Sequence, residues 1–219
     1  HPPLDLQSTG IVAGAVLVKV PQITRILSNR SVAGLRAQMF RSEVLSGTVA
    51  VAYLSQQRLA LAAYAELFFL LAQNLIILFL IAYYAERPEG VTAWRGVAAN
   101  VPAIVAYAVV AGSLASGVVS GSHLEAAYNC TTAVLIAGRA PQILANHRAR
   151  STGELSFATQ ALMSAGSAAR IFTTAQEGGS ASTVGAYLAS AAMNWIILAQ
   201  MVAYKGAAGE KKTRKKKTQ

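Results

Sequence analysis

The chain has 219 residues, 54% of them hydrophobic and only 13% charged, with a formal net charge of +10. Soluble domains carry about 25% charged residues, so too few polar side chains are available here to cover a single soluble core. Nor does the basic excess point to nucleic acid, because residues 205–219 alone hold seven bases against one acid and the remaining charge is scattered between apolar stretches. Those stretches predict seven helices, at 9–27, 37–54, 65–84, 97–119, 125–145, 155–175 and 183–204, each close to the roughly 20 apolar residues that a membrane span needs. They are rich in Ala, Gly and Ser, which let helices approach closely in lipid. Cys130 stands alone, which excludes an intramolecular disulfide, and His1 in place of an initiator Met points to a trimmed or fragmentary N-terminus.

One pattern occurs twice. Lys19-Val20-Pro21-Gln22-Ile23 is followed 120 residues later by Arg139-Ala140-Pro141-Gln142-Ile143. In both copies a basic residue precedes the Pro by two places, a Ser follows it by ten (Ser31, Ser151) and a Leu by fourteen (Leu35, Leu155). Helices one to three and five to seven are therefore expected to be two copies of one unit. The odd helix between them leaves the copies in parallel orientation. The expected fold is an all-α membrane protein of seven transmembrane helices, two parallel three-helix repeats joined by a linker helix (3+1+3). It divides into a short N-terminus at 1–8, a first repeat at 9–84, a linker with helix four at 85–124, a second repeat at 125–204 and a basic tail at 205–219.

The loops set a direction. Arg25, Arg30 and Arg36 near the first loop, His147, Arg148 and Arg150 near the fifth, and the lysine-rich tail all fall on one side of a seven-span chain, whereas the loop between helices six and seven has no Lys or Arg. The positive-inside rule then places the C-terminus in the cytosol and the N-terminus outside or in a lumen. In that orientation the sequon at Asn29 is cytosolic and the one at Asn129 lies within helix five, so neither is expected to carry a glycan.

Ionisable groups inside spans cost at least about 2.5 kcal/mol each and require partners or a water-lined path. Lys19, Arg41, Glu43, Glu66, Arg139 and Arg170 are such groups, joined by the uncharged Gln22, Gln73, Asn74, Asn129, Gln142, Gln160, Asn194 and Gln200. They are expected to line a central polar path. Lys19, Arg139 and Arg170 would meet an anionic group, and Gln22, Gln142, Gln73 and Asn194 would meet hydroxyls. The alternatives are structural: Lys19 and Arg139 as snorkelling anchors, Glu43 and Glu66 as counter-charges for Arg41, Lys19 or Arg170, Arg170 as a partner of Glu177, and Asn194 and Gln200 as helix–helix hydrogen bonds. Pro21 and Pro141 each remove a backbone hydrogen bond, and are read as a matched pair of hinges with static bends as the alternative. The three histidines, His1, His123 and His147, lie far apart, and no metal spacing, phosphate loop or nucleophile motif occurs. No enzyme activity, cofactor, metal or nucleic-acid partner is expected.

The two Pro-Gln motifs resemble those of the PQ-loop superfamily, which includes the SWEET sugar transporters, cystinosin and the KDEL receptors. Within it, Lys19-Val20-Pro21-Gln22, Glu43, Gly47-Thr48, the stretch from Glu66 to Gln73, and above all Ser167-Ala168-Ala169-Arg170-Ile171-Phe172-Thr173 through Gly178 are similar to the mannose-P-dolichol utilization defect 1 protein family. Asn194 and Gln200 match its last span. The terminal Lys216-Lys217-Thr218-Gln219 resembles a cytosolic dilysine retrieval signal of the endoplasmic reticulum. The resemblance implies a multi-pass protein of that membrane, required for use of dolichyl-phosphate-mannose and dolichyl-phosphate-glucose in N-glycan precursor and GPI-anchor synthesis. Flipping or presenting the lipid-linked sugar is the implied action; a SWEET-like sugar transporter and a non-transporting accessory of glycosyltransferases are the alternatives. The complete second Pro-Gln pair departs from that family toward the generic superfamily. With Asp5 the only aspartate, the proton-coupling aspartates of cystinosin-type transporters are absent.

Overall fold

Small residues and inward-facing hydroxyls decide how these helices meet. The computed structural model describes residues 17–58, 61, 64–86, 92–176 and 181–216, with Thr173, Thr174, a few positions near the start of the last helix, and all of it beyond Tyr204, described by backbone alone. The described residues form nine helices and no strand: α1 Val20–Asn29, α2 Ala37–Gln56, α3 Ala65–Tyr84, α4 Ala93–Ala98, α5 Val101–Ala115, α6 Gly121–Asn129, α7 Thr131–Ala149, α8 Phe157–Gln176 and α9 Ala181–Lys216. By length and apolarity, three segments qualify as membrane spans: Ala65–Tyr84, Ala93–Ala115 and Tyr187–Tyr204. Helices α2, α7 and α8 fall outside that description because they carry the polar residues, and much of that polarity is turned inward. On α2, Ser42, Ser46 and Thr48 are buried beside Val44 and Val49.

Helix contacts recur under the 120-residue offset. α2 packs on α7 as α1 packs on α8; α3 packs on α1 and α2 as α9 packs on α7 and α8. α4 and α5 lean on α3 and α2 respectively. A single apolar core joins the two halves, with Ile26, Phe40, Ile77 and Leu80 from one and Leu155, Ile197 and Met201 from the other. Ile77 and Ile197, 120 positions apart, are both fully buried. Outside, α5 has no buried residue and exposes Ile104, Val105 and Val109, an apolar face suited to lipid.

The closest approach lies between α2 and α7. A Cβ built on Gly138 would stand 1.8 Å from Ser42 Oγ and 2.4 Å from Ser42 Cβ, so only glycine allows the two backbones to come this near.

Several boundaries differ from the sequence expectation. The expected fourth helix starts earlier, at Ala93, and breaks at Ala99–Asn100, where Asn100 turns its amide back onto the Gly96 carbonyl at 2.9 Å and a new helix begins at Val101 with Pro102 in its first turn. The fifth is longer at both ends and is divided at Cys130. The expected seventh helix does not stop at Tyr204 but continues to Lys216, where Lys and Arg, both good helix formers, predominate in the tail. The two prolines are not equivalent. Pro21 stands in the first turn of α1, just after a break at Val18–Lys19, where its missing N–H costs nothing; Pro141 lies inside the continuous α7. A matched pair of interior kinks is therefore replaced by one helix break and one internal proline.

Gly138→Ala is expected to destabilise the fold by about 1–3 kcal/mol through overpacking. Gly112→Ala, where nothing lies within 4 Å, should be neutral or slightly stabilising. Thermal unfolding of both variants in one detergent checks the contrast.

Candidate functional site

The loops that follow the two Pro-Gln helices are built alike. Arg30 and Arg150 close α1 and α7 in left-handed conformation, with φ of 46° and 48°. Ser31 Oγ then accepts from the Ala33 N–H and Ser151 Oγ from the Gly153 N–H, both at 3.2 Å. The loops lie directly against each other. The Glu154 N–H donates to the Ala33 carbonyl at 2.8 Å, and a Cβ on Gly153, where φ is +54°, would fall 2.1 Å from that same oxygen.

The Pro-Gln glutamines tie these loops together crosswise. Gln22 donates to the Glu154 carbonyl (2.8 Å) and accepts from the Ser156 N–H (2.7 Å). Gln142 donates to the Gly34 carbonyl (2.8 Å) and accepts from the Arg36 N–H (2.7 Å). Each amide thus pairs with residues n and n+2 of the opposite loop, as a neighbouring backbone would, and the two clamps superpose under the 120-residue offset. Both side chains are buried and engaged at both ends, so neither is placed to meet hydroxyls, contrary to the sequence expectation. Arg25 and Asn29 reinforce the joint by donating to Glu154 Oε2, at 3.1 and 2.6 Å.

Deeper in the bundle the basic residues of the two motifs meet on one carboxylate. Lys19 Nζ pairs with Glu43 Oε2, and Arg139 Nη2 with Glu43 Oε1 at 3.2 Å. All three side chains are at most 8% exposed. Counted at their formal charges, these three described side chains are two cations and one anion, a net +1, and almost wholly buried. The Asn74 side chain hydrogen-bonds the same carboxylate, Gln73 Oε1 accepts from the Lys19 N–H at 2.9 Å, and Arg139 Nη1 reaches Ser190 Oγ at 3.4 Å. Lys19 also lies over the Phe40 ring, 5.2 Å from its centroid. Glu43 is thus the counter-charge of Lys19 and Arg139, while Arg41, two residues earlier, faces away from them.

Of the remaining expected residues, Glu66 pairs with Arg170 rather than leaving it to Glu177, which lies outside the described residues. That pair joins α3 to α8 at the end of the bundle far from the paired loops, and the Arg170 side chain is about half exposed, at 49%. Gln200 bonds across helices to Asn146 and to the Ile143 carbonyl, both at 2.9 Å. Gln160 donates to the Asn194 carbonyl at 2.9 Å. Asn129 is exposed at the α6–α7 joint and stands apart from the central cluster. Lys217 lies outside the described residues and Lys216 is described by backbone only.

One feature of the interior was missed as a pair. Asn74 and Asn194, related by the 120-residue offset, are both buried, and the Oδ1 of each has no hydrogen-bond partner among the described residues. Thr159 Oγ1 and Ser164 Oγ are likewise unpartnered among them. Orphaned buried oxygens are uncommon, and these lie along the interior faces of α3, α8 and α9. Applying the Pro-Gln offset to the other polar residues would have identified the asparagines as a pair.

Two segments of the sequence, residues 5–62 and 127–183, match the PQ loop repeat, one Pro-Gln pair in each. The chain belongs to the PQ-loop repeat family. No solved structure matches it. PQ-loop proteins are membrane proteins, transporters and their relatives, and are generally not enzymes. The arrangement found here suits such a role: a polar interior bounded at one end by the glutamine clamps and at the other by Glu66–Arg170, with fixed cations and open acceptors between.

Gln22→Leu and Gln142→Leu should each strand two backbone groups of the opposite loop, at a cost of about 1–3 kcal/mol. Hydrogen exchange checks the crossing. Gln22→Leu should speed exchange at Ser156 while Arg36 stays protected, and Gln142→Leu should do the reverse; exchange altered only in the mutated repeat's own loop would contradict it.

Proposed function

We propose that this PQ-loop protein serves the use of dolichyl-phosphate-mannose and dolichyl-phosphate-glucose at the endoplasmic-reticulum membrane, by flipping or presenting the lipid-linked sugar. In this reading seven spans form two parallel three-helix repeats, residues 9–84 and 125–204, around the linker helices of 85–124. The paired loops and the basic tail 205–219, with Lys216 and Lys217 near its end, are cytosolic, and residues 1–8 are lumenal. The observation that carries the reading is the buried Lys19–Glu43–Arg139 cluster with its net positive charge. A neutral sugar has no need of it, whereas a phosphate would supply the missing negative charge in a low-dielectric site where charge-assisted bonds are strongest. The Oδ1 atoms of Asn74 and Asn194, unpartnered among the described residues, are acceptors for sugar hydroxyls; Asn194 was expected in that role from the sequence together with Gln22, Gln73 and Gln142. The polyisoprenyl tail would remain in lipid beside the apolar outer faces. Helix α7, with its internal Pro141, and the break before Pro21 are the places where the repeats would bend if they rock.

The test is transbilayer exchange of radiolabelled dolichyl-phosphate-mannose in reconstituted vesicles. The protein should accelerate exchange, and Lys19→Ala or Arg139→Ala should slow it by about 10-fold or more, the scale of a lost charge-assisted bond, while the exposed Arg58→Ala should not. Protein that leaves exchange at the empty-vesicle rate would refute flipping. In that case, co-purification with a mannosyl- or glucosyltransferase would support the presenting role and an accessory function. A second reading, a SWEET-like transporter of free sugar, is favoured by the two open asparagine oxygens alone; uptake of free hexose into the same vesicles separates it.

A further inference from the structure

Helices α2, α3 and α5 enclose a cavity of about 650 Å³ on the outer side of the first repeat, between it and the linker helices. The volume is within the range of small-molecule sites, about 300–1,000 Å³, and the walls are almost wholly apolar. At its lipid-facing rim stand Leu45, Leu75, Phe79 and Ile104, each between 41% and 55% exposed. Tyr107 lines it further along α5 and bonds Thr48 Oγ1 at 2.9 Å, pinning α5 to α2. Arg41 is the one charged residue on this wall. Its side chain is exposed, and its guanidinium has no ion pair or hydrogen bond among the described residues.

Position gives that arginine a meaning. Arg41 is four residues from the start of α2, about 6 Å along the axis at 1.5 Å per residue, so it reaches the headgroup level at the paired-loop end by snorkelling. From Ala37 to Leu45 the cavity follows α2 for about 12 Å, a fraction of the roughly 30 Å hydrocarbon core. A groove that opens sideways between exposed apolar side chains, runs along the helix axis and holds, toward its paired-loop end, a cation unpaired among the described residues has the shape and charge of a lipid with an anionic head. Arg41 and Glu43 are two positions apart, hence about 200° apart around the helix, so this groove is separate from the buried charge cluster.

We infer that this groove is a binding site for a phosphate-headgroup lipid of net negative charge. Arg41 takes the phosphate, and one chain lies between α2, α3 and α5. The lipid belongs to the leaflet at the paired-loop end, cytosolic in the orientation proposed above, and it wedges the first repeat against the linker. It differs from the proposed substrate site in location and in its almost wholly apolar wall.

Trp94 is a built-in reporter, since its ring lies 6.3 Å from that of Phe79 on the groove rim. The chain has two tryptophans, so Trp195→Phe leaves Trp94 alone. In phosphatidylcholine vesicles this variant should be quenched by chain-brominated phosphatidic acid more strongly than by chain-brominated phosphatidylcholine, with a preference of about 10-fold in relative association constant, the scale of one charge-assisted bond. Arg41→Gln should abolish the preference and Arg41→Lys should retain part of it. Ala103→Phe, which fills the groove, should reduce quenching by both lipids. Excess inorganic phosphate should leave the quenching unchanged. Equal quenching by the two lipids, a preference that survives Arg41→Gln, or displacement by inorganic phosphate would each overturn the assignment.

Discussion

The shared carboxylate of Glu43 is the constraint on which the interior depends. Two cations, one from each Pro-Gln motif, are removed from water and meet on a single acid. Burying charge is costly, and a buried pair is tolerated only with good geometry and satisfied hydrogen bonds. The surroundings meet that demand: Gln73 takes the Lys19 N–H, Asn74 supports the carboxylate, Ser190 takes an arginine N–H and Phe40 lies beneath the ammonium. For Glu43 on α2 to reach Arg139 on α7, the two helices must run unusually close, and the bare Gly138 against Ser42 permits it. The charge cluster and the small-residue contact are thus parts of one arrangement.

The same crossing of the two repeats recurs at three levels. At one end the glutamines reach to the opposite loop, in the middle Glu43 joins the basic residues of both motifs, and at the far end Glu66 meets Arg170. The levels differ in burial. The clamps are buried and neutral, whereas the Arg170 side chain of the far pair is about half exposed among the described residues.

Much of this was legible in the sequence because duplication leaves a ruler in the chain. The 120-residue offset relates Lys19 to Arg139, Arg30 to Arg150 and Ile77 to Ile197, and a helix of 65–84 needed only its apolar run. Composition also distinguished the spans from their polar interior faces. What a single chain does not print is which polar groups meet. Gln22 and Glu154 are 132 positions apart, and whether an intramembrane glutamine bonds a ligand or a loop depends on how closely two loops approach, here set by Gly34 and Gly153. Lys19, Arg139 and Arg170 were expected to meet an anionic group, and each meets a protein carboxylate: Glu43 serves the first two and Glu66 the third. Pro21 was read as a kink because the helix break before it, at Val18–Lys19, has no Gly or Pro to announce it.

Within the PQ-loop family this architecture combines a firm structural joint with a positively charged interior, and the central claim is that Glu43 joins both repeats at once. A double-mutant cycle tests it most directly, by comparing unfolding free energies of the native chain, Glu43→Gln, Arg139→Met and the double variant in one detergent. If the carboxylate is shared, Glu43→Gln strands two buried cations and costs about 3–5 kcal/mol, Arg139→Met alone costs far less, and the double variant is more stable than the sum of the two by at least about 1 kcal/mol. Strict additivity would contradict the account.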